Sequence, residues 1–242
     1  MGPLLAILIW GITLWSVIIT ARANGSMPRR ISEAANQINA QFFITLVVVA
    51  IAFVLAQGLL GWVILRYRGR AGQRARYSHG NQLVEVGGTA VVGVVFVVLA
   101  ILGQRVWANL HLGAVNPDRI KIEITGEQFA WNIRYPGADG QLNTEDDIET
   151  INQLHLPVEQ VALVHLTAMD VIHSFFVPQF RIKRDAVPGT TGQLWLQPTQ
   201  TGQYEIACAE LCGIGHYRMK GYLTIETREA FDAWLAEKAA EE

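Results

Sequence analysis

The stretch Cys208-Ala-Glu-Leu-Cys212-Gly-Ile-Gly-His216-Tyr-Arg-Met219 brings two thiols, an imidazole and a thioether into twelve residues. Soft ligands in this mixture favour copper, whereas zinc usually takes its ligands from cysteine and histidine and gains little from a thioether. The chain has no further cysteine. The stretch lies between two predicted strands, 204–207 and 222–225, and therefore predicts a copper electron-transfer site in a loop of a β-domain.

A disulfide between Cys208 and Cys212 is the alternative, because exported thiols normally oxidise. A disulfide makes no use of His216 and Met219, so their presence favours a metal. A mononuclear blue-copper site needs one cysteine and two histidines, which leaves this stretch with a surplus thiolate and a missing imidazole. His173, which lies in an aromatic-rich segment, is the best candidate for the missing ligand; a core histidine is the alternative.

The chain as a whole divides into an apolar first half and a β-rich second half. Three long apolar runs, 3–20, 42–65 and 86–107, each approach or exceed the ~20 residues that span a bilayer. The first run could be a cleaved signal sequence, but it has no positively charged start and is long for that role, so we predict a retained helix. Residues 1–109 are thus predicted to form a membrane anchor with three transmembrane helices.

The loop between the second and third runs is strongly basic, with Arg66, Arg68, Arg70, Arg74 and Arg76. Basic loops face the cytoplasm, so residues 110–242 are predicted to lie outside an inner (cytoplasmic) membrane, in the periplasm or its equivalent. That half carries ten basic and nineteen acidic side chains, against nine and two in residues 1–109. The acidic excess suggests a cationic partner, with ordinary solubility as the alternative.

Short runs of β-branched and aromatic residues alternate with turn signals throughout the second half. The predicted strands are 120–124, 129–135, 161–167, 192–196, 204–207 and 222–225, separated by Pro-Gly, Asp-Gly and Thr-Gly turns. They indicate an antiparallel sandwich or barrel. Phe231, Trp234 and Leu235 follow at helical spacing and predict a closing helix over 228–240.

Two further strings accompany the cysteine-containing stretch, and together the three resemble cytochrome c oxidase subunit II over nearly the whole chain after residue 40. They are Asp170-Val-Ile-His-Ser-Phe-Phe-Val-Pro178 and Asp185-Ala-Val-Pro-Gly189. The resemblance implies a transmembrane α-helical anchor plus an all-β cupredoxin-like barrel that holds the dinuclear copper centre CuA. It also implies the ligands: bridging thiolates of Cys208 and Cys212, imidazoles of His173 and His216, and weak axial contacts from the Met219 sulfur and the Glu210 main-chain carbonyl.

The resemblance further implies an electron carrier inside an oxygen-reducing, proton-translocating complex. Electrons would come from a c-type cytochrome, soluble or in a neighbouring complex, and pass to haem in subunit I, with subunit III as a third partner. The six histidines lie outside the three apolar runs, and no Cys-x-x-Cys-His motif occurs, so the chain itself has no haem site or catalytic residue. A CuA subunit of a nitric oxide reductase and a membrane-anchored copper-handling protein are the alternatives.

Four other residues and one acidic segment are further candidates for a functional role. The Glu210 carboxylate resembles a ligand of magnesium at the subunit I contact, and Glu85 resembles a proton-uptake carboxylate; a solvated and an interfacial acid are the alternatives. Phe129 and Trp131 are candidates for the residue through which electrons arrive, or are barrel packing. The acidic segment 139–147 is a candidate calcium loop, although it lacks EF-hand spacing and an acidic hairpin explains it equally well.

Overall fold

The structure is a computed structural model that describes residues 1–23, 25, 27–70, 72–74, 77, 79–111 and 119–241. Arg76 of the basic loop, and residues 112–118 near the predicted domain boundary, lie outside the described residues. The chain divides into two compact units. One comprises residues 1–27 and 39–108, and the other comprises residues 28–38 and 109–242.

Three helices form the transmembrane anchor, and each is long and apolar enough to cross a membrane. They are α1 (Gly2–Ala23), α2 (Glu33–Arg66) and α3 (Gln82–His111). Each contains one predicted apolar run, extended at both ends. The Ser32 hydroxyl accepts a hydrogen bond from the Ala35 N–H and caps α2, while the Asn81 side chain accepts one from the Leu83 N–H and caps α3. These caps explain why α2 and α3 begin before their apolar runs.

The second unit contains two five-stranded sheets, in the orders β3-β2-β1-β5-β8 and β4-β10-β9-β6-β7. The strands are β1 (Ile120–Glu127), β2 (Ala130–Tyr135), β3 (Ile148–Ile151), β4 (Gln153–Pro157), β5 (Ala162–Ala168), β6 (His173–Val177), β7 (Ile182–Ala186), β8 (Gly192–Leu196), β9 (Gly202–Cys208) and β10 (Lys220–Glu226). The prediction of a purely antiparallel domain is wrong, because β1 pairs with β5 and β4 pairs with β10 in parallel. Long connections between the members of each pair make the parallel pairing possible.

Six of these strands were predicted, and β3, β4, β6 and β7 were not. Those four have only four or five residues each, a length at which alternation is a weak signal, although β8 of five residues was predicted. The inner faces of both sheets form the core around Trp131, Tyr135, Phe175 and Phe180, which are fully buried. The all-β, cupredoxin-like class is confirmed.

The closing helix is also confirmed, as α4 (Arg228–Glu241). Phe231 is buried in the core, and the ring of Trp234 stacks on His155 with centroids 3.8 Å apart and planes within 3°. His155 Nδ1 contacts Glu226 Oε1 over 2.8 Å. Burial raises the pKa of Tyr135, whose hydroxyl donates to the His155 carbonyl and accepts from its N–H. The helix therefore covers one region of the barrel through aromatic contacts.

Residues 28–38 are part of the β-domain unit. Ile31 is fully buried in the domain core, and its N–H donates to the Gln179 carbonyl over 3.4 Å. Ser32 forms an isolated bridge with Pro198, and its hydroxyl donates to the Phe180 carbonyl. The segment between the first two helices thus contributes to the core of the β-domain.

Candidate metal centre

Two neighbouring strands bring the predicted metal ligands together. His173 is the first residue of β6 and Cys208 is the last residue of β9, and these strands pair through Phe175 and Cys208. The Ala209 N–H donates to the Ser174 carbonyl over 2.9 Å and holds the start of the β9–β10 connection against β6. That connection carries the other predicted ligands, Cys212, His216 and Met219.

The side chains of these residues lie around the sulfur atoms of Cys208 and Cys212. The Sγ atoms of Cys208 and Cys212 are 3.8 Å apart and are not bonded, so both cysteines are free. His173 Nδ1 lies 4.0 Å from Cys208 Sγ, and His216 Nδ1 lies 3.7 Å from Cys212 Sγ. The Sδ atom of Met219 is 3.7 Å from Cys212 Sγ. The Glu210 carbonyl oxygen is 3.2 Å from Cys208 Sγ, on the backbone of the same connection.

The chemistry of this group suits a soft metal. Cys208, Cys212 and His173 offer ligand atoms within 4.8 Å of one another, all three residues being buried. Burial raises the pKa of the Cys212 thiol to about 11, and the hydrogen bond and charge of Cys208 add to that rise. Two adjacent thiolates are therefore unfavourable unless a cation compensates their charge, which copper does. The residues present fit the copper ligands of CuA.

His173 is oriented by the carboxylate of Asp170. His173 Nε2 lies 2.8 Å from Asp170 Oδ1, so its Nδ1 is the nitrogen directed toward the cysteines. Burial tends to raise the pKa of Asp170, but hydrogen bonds from His173 and from the Val171 and Gln128 N–H groups lower it overall. The ionised carboxylate fixes the imidazole in the orientation that a ligand requires.

The turn between β1 and β2 packs closely on the site. A Cβ at Gly126 would lie 2.9 Å from the His173 ring, and a Cβ at Gly213 would lie 2.6 Å from Gln128 Nε2. The Phe129 ring packs directly on the backbone of Gly215, where a side chain would clash. The glycines therefore allow the backbone and the turn to approach the ligands closely.

The other predicted positions differ in exposure. Trp131 is 0% exposed, with its ring centroid 6.0 Å from that of His173, whereas Phe129 is half-buried at the surface. The Glu210 carboxylate is exposed. Glu85 is exposed in the first turn of α3, where its Oε1 lies close to the backbone of Gly80.

The acidic segment 139–147 forms a hairpin whose carboxylates are used internally. Asp146 accepts from the Asp139 N–H and the Thr144 hydroxyl, and Asp147 accepts from the Asn143 N–H. Arg134 Nε lies 3.5 Å from Asp147 Oδ2. Among the described residues, the group of three side chains that could hold a metal ion is His173, Cys208 and Cys212. The acidic hairpin forms no such group within the described part of the chain. The arrangement matches an acidic hairpin.

Sequence reasoning missed two residues of the site, Asp170 and Gln128. Asp170 precedes His173 by three residues, a spacing that could have suggested a carboxylate partner for the imidazole. Gln128 donates its side-chain N–H to the Cys212 carbonyl over 2.6 Å, across 84 residues. No sequence pattern signals a contact of that separation.

Fold and site together define a membrane-anchored protein of the cupredoxin type. Residues 120–226 match the family model described as cytochrome C oxidase subunit II, periplasmic domain. An alternative cytochrome c oxidase subunit 2 from Bradyrhizobium diazoefficiens is 32% identical over an alignment of 223 positions, which covers 83% of this chain and 78% of the relative. The chain belongs to the cytochrome c oxidase subunit II family.

A second relative agrees with the family, and one solved structure is reported beside it. A cytochrome c oxidase subunit 2 from Thermostichus vulcanus is 28% identical over an alignment of 291 positions, gaps included, which covers 96% of this chain and 86% of the relative. The crystal structure of the periplasmic domain of subunit II from Bradyrhizobium japonicum is 27% identical and covers 53% of this chain and 99% of its own, with a TM-score of 0.47. The chain is thus a subunit II of a haem-copper oxidase, and its family implies copper.

Proposed function

We propose that this chain receives electrons from a c-type cytochrome at a CuA centre and passes them to haem in catalytic subunit I. The observation that carries the proposal is the pair of free, buried cysteines whose Sγ atoms lie 3.8 Å apart, with a histidine beside each. A structural disulfide would not need either imidazole. Reduction of oxygen to water and the coupled proton translocation are proposed to occur in subunit I, with subunit III as a further partner.

Six residues are proposed to hold the copper pair. The Cys208 and Cys212 thiolates, the His173 and His216 imidazoles, the Met219 sulfur and the Glu210 carbonyl would hold it. When bound, this centre supplies one-electron transfer with little change in ligand geometry. A magnesium ion bound through the Glu210 side chain at the contact with subunit I is a secondary proposal, supported by the exposure of that carboxylate.

The surrounding side chains keep the ligands rigid and dry. Phe175 lies fully buried beside the site, with its ring centroid 5.6 Å from that of Trp131, and Trp131 in turn contacts His173 edge-on. Aromatic packing of this kind excludes water and restricts the movement of the imidazole. Both effects reduce the reorganisation that accompanies a change of charge.

Electrons are proposed to reach the site beside Phe129. A donor protein needs a surface residue to contact, and Trp131 has no exposed surface, whereas Phe129 is partly exposed and packs on the Gly215 backbone. Trp131 therefore serves as packing between the barrel core and His173 in this proposal. Glu85 remains proposed as a proton-uptake carboxylate, supported by its exposure at the start of α3.

We further propose that residues 1–109 anchor the chain in the inner membrane and that residues 110–242 form the extracytoplasmic CuA domain. The basic loop after α2 supports a cytoplasmic location for that loop. The burial of Ile31 in the β-domain supports the same orientation, because it requires the α1–α2 connection to lie on the side of the copper domain.

Electron paramagnetic resonance with copper quantitation on the full-length chain in detergent tests the proposal. An unpaired electron shared by two equivalent copper nuclei gives seven hyperfine lines. An unpaired electron on a single copper nucleus gives four. We expect the seven-line pattern with two coppers per chain, and its loss in Cys212→Ser. Met219→Leu removes the buried thioether and should alter the spectrum. Met169→Leu removes an exposed thioether and is the matched control, which should leave the spectrum unchanged. A four-line signal, or a Cys208–Cys212 disulfide, would refute the proposal.

A further inference from the structure

Gln128 hydrogen-bonds toward both halves of the metal centre. Its backbone N–H donates to Asp170 Oδ2 over 2.8 Å, and its side-chain Nε2 donates to the Cys212 carbonyl over 2.6 Å. The other oxygen of Asp170 contacts His173 Nε2 over 2.8 Å. One residue of the β1–β2 turn therefore connects the strand that begins at His173 with the loop that carries Cys212.

We propose that Gln128 is a positioning residue of the copper centre. Its amide fixes the Cys212 backbone relative to His173, so that the two ligands keep their separation when the charge of the centre changes. The positive end of the Gln128 amide dipole also points toward the Cys212 carbonyl, which favours the reduced, less positive state of the centre. This inference rests on the proposed CuA function.

The turn that carries Gln128 is itself held in place. β1 and β2 pair directly across it, from Glu127 to Ala130, and the Met169 N–H donates to the Gly126 carbonyl over 2.9 Å. On the opposite side, Gly213 has a φ of 134° and no side chain, which leaves room for the amide. Because both partners are fixed, the hydrogen bond transmits the position of the turn to the loop.

The Gln128 hydrogen bond supplements other contacts that hold the loop. The His216 N–H donates to the Gly213 carbonyl, and the Met219 N–H donates to the His216 carbonyl, both over 3.1 Å. Loss of the Gln128 side chain therefore leaves the loop folded but less constrained. A single neutral hydrogen bond changes an equilibrium by about fivefold. We expect a shift in the properties of the centre and not the loss of copper.

The test uses full-length Gln128→Met in detergent, because methionine matches the length of glutamine and has no donor. The control is Gln203→Met, which changes an exposed glutamine in β9. We expect Gln128→Met to retain two coppers, to have a lower reduction potential than wild type, and to release copper to a chelator about fivefold faster. Gln203→Met should match wild type in both measurements.

A reduction potential and release rate of Gln128→Met equal to those of wild type would overturn the inference. If Gln128→Met does not fold, Gln128→Glu replaces it, since it keeps the shape and polarity but cannot donate when ionised; its potential should also fall. The reduction potential could also shift in Gln128→Glu but stay at the wild-type value in a folded Gln128→Met. That result would assign the effect to the added charge and overturn the positioning role. A wild-type chain without the seven-line signal would instead overturn the proposed function, and this inference with it.

Discussion

The N–H of Thr199 donates a 2.8 Å hydrogen bond to the carbonyl of Ile31, and this contact makes the α1–α2 connection part of the β-domain. The side chain of Ile31 is 0% exposed and belongs to the same core cluster as Phe180. A version of the domain that begins at residue 110 would lack this side chain. Residues 28–38 therefore belong to the β-domain, although they directly follow α1 in the sequence.

Ile31→Ala should destabilise the β-domain by about 2–5 kcal/mol, because it removes buried methyl groups and leaves a cavity. Thermal unfolding of the full-length chain in detergent, followed by the circular dichroism of the β-domain, measures the change. Arg29→Ala is the control, since Arg29 is exposed two residues earlier. Equal melting temperatures for the two variants would show that the connection contributes nothing to the core.

Copper affinity should increase with pH. The pKa of Cys212 is raised to about 11, so its thiol is protonated at neutral pH and the metal must displace that proton to bind. Below that pKa, each proton released raises the apparent affinity by about tenfold per pH unit. Competition between the chain and a chelator for cuprous ion at pH 6, 7 and 8 measures this slope. A pH-independent affinity would mean that the bound form keeps its thiol protons.

Gly126→Ala should weaken copper binding by displacing His173, whose ring lies 2.9 Å from the position of the new methyl group. Few real contacts are that close, so the imidazole must move away from the cysteines or the turn must shift. We expect about tenfold weaker binding in the same competition assay. Gly69→Ala, at a glycine with open space around it, should bind copper as wild type does. Equal affinities would show that the turn yields instead of the imidazole.

The sequence predicted those parts of the site that depend on local spacing. Cys208, Cys212, His216 and Met219 share one connection, so their convergence could be inferred from the stretch itself. His173 is 35 residues from Cys208. The two residues are brought together by the pairing of β6 with β9, and β6 is a short strand that was not predicted from the sequence. Its assignment therefore depended on its aromatic neighbours and on the family resemblance.

The parts that could not be predicted depend on contacts between distant segments. Alternation identified β1 and β5 but did not show that they pair in parallel, because the side-chain pattern of a strand does not encode the direction of its neighbour. Ile31 lies in a short segment without periodicity, and its backbone is held in the domain by hydrogen bonds to the backbones of Gln179 and Thr199, which are far along the chain. Backbone hydrogen bonds form with nearly any residue type, so they leave no signal in the amino-acid sequence.

Calcium should leave the acidic hairpin unchanged. The carboxylates of Asp146 and Asp147 already accept hydrogen bonds from the hairpin, and Asp147 also faces Arg134, so binding would require these contacts to break. We expect the melting temperature of the chain to be the same in calcium and in chelator. Asp146→Asn, which removes one charge, provides the comparison. A rise in melting temperature with calcium that Asp146→Asn abolishes would establish a site.

Phe129→Leu should slow reduction of the centre by a c-type cytochrome while leaving the copper spectrum intact. Leucine keeps apolar contact with the Gly215 backbone but removes the partly exposed ring that a donor would touch. Loss of a central aromatic contact costs roughly 1–2 kcal/mol, so the second-order rate in stopped-flow measurements should fall about tenfold. Tyr222→Leu, which removes a partly exposed aromatic ring from β10, is the control and should react at the wild-type rate. If both variants react equally fast, electrons reach the copper loop at another part of the surface, and the assignment of Phe129 is wrong.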